Sequence, residues 1–167
     1  MIKTILFVCT GNTCRSAMAE GVFKNVLEER TKGNSKIDVI SAGISALPGI
    51  SPTFEAISVM FEQSIDISRH KAIQVQEDLL KKADLILVMS NTHKDYILRK
   101  FPFVWNKVFL LKEYAQKDEI KNIQSKDENY KVVDPLGRPI EFYRIIAREL
   151  KENLEKVLDK ILEENNK

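Results

Sequence analysis

The sequence predicts an α/β protein, a four-stranded parallel sheet covered by helices on both faces. Three observations predict it. Apolar runs at Lys3–Val8, Ile37–Ala42, Leu85–Met89 and Lys107–Leu111 are short and lack a helical period, so they read as buried strands. Amphipathic segments alternate with them, the order that builds parallel sheets. The 167 residues, 44% apolar and 30% charged, suffice for one domain over 1–167 with its own core, and no repeat or low-complexity tract interrupts them.

Each element has a local reason. Lys3–Val8 is β-rich and stops at Cys9. In Ser16–Glu29, Met18, Val22 and Val26 recur every fourth residue beside Phe23 and Leu27, which makes one apolar helical stripe. Gly33-Asn34-Ser35 ends that helix, and Gly43 ends the second strand. Ser51 followed by Pro52 has the form of a helix cap with proline at the first helical position, and the helix runs to about Gln63. Arg69-His70-Lys71 lies on a loop, Gln76–Lys82 is a short helix, and Leu85–Met89 is the most uniformly apolar strand. Asn91–Lys100 is helical until Pro102, and Gln116–Lys131 is a polar, charged loop. Asp134-Pro135-Leu136-Gly137 is a tight turn before a long helix from Pro139 to about Glu163, with Tyr143, Ile146, Leu150, Leu154, Val157 and Ile161 on one face.

Right-handed crossovers and four strands favour a flavodoxin-like order, 2-1-3-4, in a three-layer sandwich. Ligands of such sheets bind beyond the carboxyl ends of the strands, near where the order reverses. The loop after the first strand is at that place.

Composition excludes several classes. Lys and Arg total 26 against 24 Asp and Glu, so there is no basic footprint for nucleic acid. The run Ile2–Val8 is too short to span a bilayer and has no signal-peptide form, so a cytoplasmic location without membrane contact is expected. There the two cysteines, Cys9 and Cys14, should be thiols. They are too few for a disulfide scaffold or a four-cysteine zinc site.

Both fall in Cys9-Thr10-Gly11-Asn12-Thr13-Cys14-Arg15-Ser16, between a strand and a helix N-terminus. A loop there can turn successive N–H groups toward one anion. Gly11 and Asn12 are residue types that tolerate the positive φ such a nest needs. Arg15 can lay a planar guanidinium over the same centre and grip a phosphate with two bonds. Ser16 is placed to cap the helix and to point its hydroxyl at the Cys9 sulfur. Nest, guanidinium and helix N-terminus all favour the thiolate, so Cys9 reads as a nucleophile held under a phosphate. A buried cysteine used only as a small hydrophobe is the plain alternative. The loop lacks the Gly-Lys-Ser/Thr of a nucleotide loop and the three glycines of a dinucleotide loop.

These residues carry a resemblance. VCTGNTCRS followed by MAE, Ser41-Ala42-Gly43, His70-Lys71-Ala72 and Asp134-Pro135, in that order, resemble the low-molecular-weight protein phosphatases from Ile5 to about Tyr143. The resemblance implies the flavodoxin-like sheet and a two-step mechanism with no metal or cofactor. It implies that Asp134 is the general acid and later the base for water, where residue type alone gives a turn starter. Asn12, Ser41 and His70 resemble the network that holds the loop in its strained shape. Cys14 resembles the family's second cysteine, close enough in sequence to cap an oxidised Cys9 as a disulfide, against the alternative of a spectator thiol. Implied partners are phosphorylated proteins, with inorganic phosphate as product.

Thr13 bears on the substrate. Tyrosine-specific members carry a bulky aliphatic residue there, whereas CTGNTCRS and KVFLLKEYA (Lys107–Ala115) resemble the bacterial protein-arginine phosphatases. A threonine leaves space for, or bonds to, a planar phosphoguanidinium, with Asp134 as its anionic partner. Leu136 departs from the aromatic residue common after Asp-Pro, which weakens stacking on a phosphotyrosine ring. Phosphoarginine is therefore the expected substrate, with phosphotyrosine as the alternative. An arsenate reductase has a similar loop but relays electrons through a further cysteine near Lys81–Asn91, and none stands there. A non-catalytic phosphopeptide-binding module would lack Cys9, Arg15 or Asp134, and all three are present.

Overall fold

The structure is a computed structural model and describes residues 1–116 and 130–166. Residues 117–129 of the segment read above as a charged loop lie outside the described residues.

Four strands form one parallel sheet: β1 (Thr4–Cys9), β2 (Asp38–Gly43), β3 (Leu85–Val88) and β4 (Val108–Leu110), in the order β2-β1-β3-β4. This is the 2-1-3-4 order read from the alternation of elements. Every residue of β1 and β3 is buried, as strands covered on both faces must be.

Alternation along β1 divides the core into two layers. Ile5, Phe7 and Cys9 face α1 (Arg15–Thr31), α2 (Phe54–Glu62), α5 (Leu111–Gln116) and α6 (Ile140–Asn165). Leu6 and Val8 face α3 (Glu77–Lys82) and α4 (Asn91–Lys100), together with Val104 and Tyr130. The position of Cys9 therefore follows from strand period: its sulfur shares the α1 side with Phe7. The apolar stripes of α1 and α6 are buried as their spacing requires, with Met18, Val22, Phe23 and Val26 on one and Tyr143, Ile146, Leu150, Leu154, Val157 and Ile161 on the other.

Three local readings change. The cap of α2 is Thr53, whose Oγ1 accepts the Ala56 N–H at 3.2 Å, so Ser51 and Pro52 lie before the helix. Tertiary contact sets that start, because the Thr53 N–H donates to the Thr13 carbonyl at 3.1 Å. Phe54 and Phe61 on α2 face outward, at 77% and 73% exposure, so only part of its apolar content is core. The fourth strand is shorter than Lys107–Leu111 because β3, its only partner among the described residues, ends at Val88 opposite Leu110. Leu111 instead opens α5, a helix with no counterpart in the sequence reading. No described helix is long and apolar enough to cross a membrane.

Candidate active site

The site begins where β1 ends. Between Cys9 and Arg15 the chain turns from strand to helix, and Asn12 takes a left-handed φ of 57°. Asparagine tolerates that conformation because its short amide bonds locally. Its side chain is fully committed here. Nδ2 donates to Ser16 Oγ at 2.8 Å and to Ser41 Oγ at 2.9 Å, while Oδ1 accepts the Ile73 N–H at 2.9 Å. His70 Nε2 donates to the Asn12 carbonyl at 3.0 Å. The Ser41 hydroxyl donates a hydrogen bond to Glu20 Oε2, which lies 3.6 Å from His70 Nδ1. The expected trio of Asn12, Ser41 and His70 is thus assembled, and Glu20 closes it.

Gly11 does not share the left-handed conformation expected of it, and a side chain there would meet only Thr13 Oγ1 at ordinary contact distance. The glycine the loop needs is Gly43. A Cβ there would lie 2.4 Å from the Thr10 carbonyl oxygen and 3.0 Å from the Asn12 nitrogen. The end of β2 therefore packs directly on the backbone of the loop.

Cys9 Sγ accepts the Asn12 N–H at 3.3 Å and lies 2.9 Å from Ser16 Oγ. Ser16 sits inside α1 and does not cap it. Cys14 holds the cap position without a side-chain bond, so the first N–H groups of the helix stay free of side-chain acceptors. The Ser16 hydroxyl instead reaches Cys9 and, at 3.4 Å, the Ala42 carbonyl.

Arg15 is 4% exposed. Its Nη1 donates to the Val132 carbonyl at 3.1 Å, and its Nη2 donates to Thr10 Oγ1 at 3.4 Å and forms an ion pair with Asp134 Oδ2 at 3.3 Å. Asp134 Oδ1 accepts the Leu136 N–H at 3.1 Å, a local turn that aims the carboxylate. Asp134 is half open to solvent, and Leu136 is exposed at 62% on the same turn. The structure thus sets the Asp134 carboxylate against the Arg15 guanidinium, at the end of the loop that starts with Cys9.

Cys14 is buried, with Thr53 Oγ1 at 3.5 Å, Tyr143 Oη at 3.7 Å and Thr13 Oγ1 at 3.9 Å from its sulfur. Burial pushes its thiol up. Burial also pushes Tyr143 up to about 12, so both groups are neutral at physiological pH. Both cysteines are free.

As with Glu20, the sequence alone does not point to His93. His93, on the first turn of α4, is 1% exposed and lies with Nε2 2.9 Å from Thr10 Oγ1 and Nδ1 3.0 Å from Ser90 Oγ. Burial, and then the nearby Arg15 charge, push it down to about 4, so it is neutral at pH 7. The available signal was its place just beyond the carboxyl end of β3, the neighbour of β1.

Residues 4–167 match the family model described as low molecular weight phosphotyrosine protein phosphatase. The chain is similar to the protein-arginine-phosphatase of Bacillus subtilis, with 38% identity over 150 residues that span 90% of this chain and 91% of the relative. It is similar to the probable low molecular weight protein-tyrosine-phosphatase EpsP of Ralstonia solanacearum, with 44% identity over 118 residues, 71% of this chain and 77% of the relative. Among solved structures, the arginine phosphatase from Geobacillus stearothermophilus superposes with a TM-score of 0.82 at 33% identity, covering 97% of this chain and 94% of that one. With the family matched from the first strand to the C-terminus, the chain belongs to the low molecular weight phosphotyrosine protein phosphatases.

Proposed function

We propose that this chain hydrolyses phosphoarginine in proteins, with Cys9 as nucleophile, Arg15 as phosphate clamp and Asp134 as proton carrier. One observation carries the reading. Cys9 Sγ is contacted by the Asn12 N–H and the Ser16 hydroxyl, at the head of a loop that ends in Arg15, whose guanidinium pairs with Asp134.

In the first step the Cys9 thiolate attacks phosphorus. The P–N bond breaks, its electron pair stays on the guanidine nitrogen, and the Asp134 carboxyl supplies that nitrogen with a proton. The loop N–H groups and Arg15 stabilise the charge on the equatorial oxygens. In the second step the Asp134 carboxylate takes a proton from water as the water attacks the phosphocysteine. The S–P bond breaks, thiolate and inorganic phosphate are released, and Asp134 is again protonated. Thr10, Gly11, Asn12, Thr13 and Cys14 line the phosphate, and Ser16 steadies the leaving thiolate.

Two features support arginine over tyrosine. Thr13 replaces a bulky aliphatic residue beside the loop, and its position is pinned by the bond from Thr53. Leu136, exposed on the Asp134 turn, offers no ring to stack on a phosphotyrosine. An arsenate-reducing relay through a third thiol has no place, because the chain has only Cys9 and Cys14.

The test is turnover of phosphoarginine and phosphotyrosine peptides of matched sequence by the purified protein, without added metal. We expect kcat/KM to favour phosphoarginine at least ~10-fold, and Thr13→Ile to shift the ratio toward phosphotyrosine by ~10-fold, the scale of one pocket methylene or hydroxyl. A preference for phosphotyrosine in the unaltered protein overturns the substrate assignment. An unchanged ratio in Thr13→Ile overturns the role of Thr13.

A further inference from the structure

Arg15 and Asp134 share a difficulty. Asp134 must release and regain a proton, yet it is one of the groups that hold Arg15 Nη2. The Val132 carbonyl holds Nη1 at 3.1 Å, but on Nη2 a carboxylate that changes charge offers a hold that weakens at the moment of proton transfer. The second group on the same nitrogen is Thr10 Oγ1, at 3.4 Å. Thr10 is an exposed residue, and its hydroxyl is also met from outside the loop, by His93.

We propose that His93 is a positioning residue for Arg15, acting through the Thr10 hydroxyl. The inference rests on the reading of the Cys9 loop as a phosphate site. A guanidinium can only donate, so Thr10 Oγ1 accepts from Arg15, and its remaining hydrogen-bonding capacity meets His93 Nε2, 2.9 Å away, in either tautomer of the ring. The imidazole is itself fixed by Ser90 Oγ at 3.0 Å from Nδ1.

The behaviour of Ser90 is an independent sign. Serine at a helix cap normally gives its oxygen to a backbone N–H of the first turn. Ser90 occupies the cap of α4 and makes no such bond. Its hydroxyl is spent on the imidazole instead, so α4 gives up a cap to hold a ring. The ring is buried at the start of a helix whose parent strand lies next to β1. Burial, Arg15 and Lys131 all oppose a positive charge on it and together outweigh Asp134, which favours one, so it stays a neutral bond partner.

The chain Arg15–Thr10–His93–Ser90 thus ties the guanidinium to the rigid layer of β3 and α4, independently of Asp134. The effect belongs to phosphate binding and to the transition state, and a residue that merely filled space would not produce it.

The experiment is a double-mutant cycle with His93→Phe and Thr10→Val. The readouts are kcat/KM on whichever phosphopeptide the wild type hydrolyses, affinity for inorganic phosphate by calorimetry, and the urea midpoint. Each single variant is expected to lose about 10- to 100-fold in kcat/KM, the scale of one lost hydrogen bond to a charged group. Phosphate affinity should weaken in both. The double variant should be no worse than the poorer single one, because both cut the same line. His93→Gln, which keeps a polar atom near the Nε2 position, should recover most of the loss. Effects that multiply in the double variant overturn the proposal. So does a His93→Phe protein with a lowered urea midpoint but unchanged phosphate affinity and kcat/KM. Where His93→Phe does not fold, His93→Asn takes its place, since its amide is too short to reach Thr10. A wild type that hydrolyses neither phosphopeptide overturns the phosphatase reading, and phosphate affinity then still decides the role of His93.

Discussion

A cysteine at the end of a buried strand is usually inert packing. Cys9 differs in what its sulfur touches, a backbone N–H from a left-handed residue and a hydroxyl from the first turn of α1. The Asn12 N–H donates to the sulfur, and the Ser16 hydroxyl lies within hydrogen-bond distance of it. Replacing Cys9 by serine keeps the shape of the loop and removes the nucleophile. We expect Cys9→Ser to lose at least ~10⁴-fold in turnover while binding inorganic phosphate within a factor of about two. Steady-state assay and calorimetry check the two halves, and residual turnover near wild type would sink the assignment. Most of this site was legible in the sequence because Cys9 through Ser16 are contiguous, and a strand feeding a helix constrains their geometry. The partners of Asn12 were legible only through family resemblance. No local pattern says that an amide at position 12 will bond Ile73 or that Glu20 will join Ser41.

At the scale of elements, the loop is held by the strand beside it as well as by its own residues. Gly43 at the end of β2 leaves no room for a methyl group against the Thr10 and Gly11 backbone. Backbone cannot move aside as a flexible side chain can, so Gly43→Ala must displace the loop. The expected result is a loss of turnover of about 100-fold, since misplacing a reacting group by about 1 Å costs on that order. A stability loss of about 1–3 kcal/mol should accompany it. Kinetics with denaturant unfolding measure both, and wild-type kinetics in Gly43→Ala would show that the loop does not depend on this contact. The glycine was visible in Ser41-Ala42-Gly43, but its task was not, because only the parallel pairing Cys9↔Gly43 sets it beside the loop. The start of α2 and the helix α5 escaped for a related reason. Thr53 is fixed by a bond to Thr13, and Leu111 leaves the sheet because β3 has run out.

For the whole molecule, the buried imidazole of His93 links the site to stability. Burial holds it down to about 4 when folded, against about 6.5 when unfolded. Between those values the unfolded chain binds the extra proton, so stability falls as pH falls. His93 gives its full contribution above pH 6.5, and that contribution shrinks steadily as pH drops toward 4. From pH 7 to pH 5 the expected loss is about 2 kcal/mol. Urea midpoints at pH 7, 6 and 5 measure it, and His93→Gln should flatten the slope across this window. A slope unchanged by that substitution would mean that other groups carry it.

The same residue marks the division between what the chain's order encodes and what its folding brings about. Strand and helix periods, the tight turn at Asp134 and the Cys9–Ser16 loop are set by neighbours within a few residues, so the α/β class, the 2-1-3-4 sheet and the strand-to-helix place of Cys9 could be read without coordinates. The Arg15–Asp134 pair, the Thr10–His93 bond and the contact of Cys14 with Tyr143 join residues far apart in the chain. Those contacts depend on which strands pair, in which register, and on how the helices pack across the two faces. Periodicity tells which way a side chain faces, while sheet register and packing determine what it meets there.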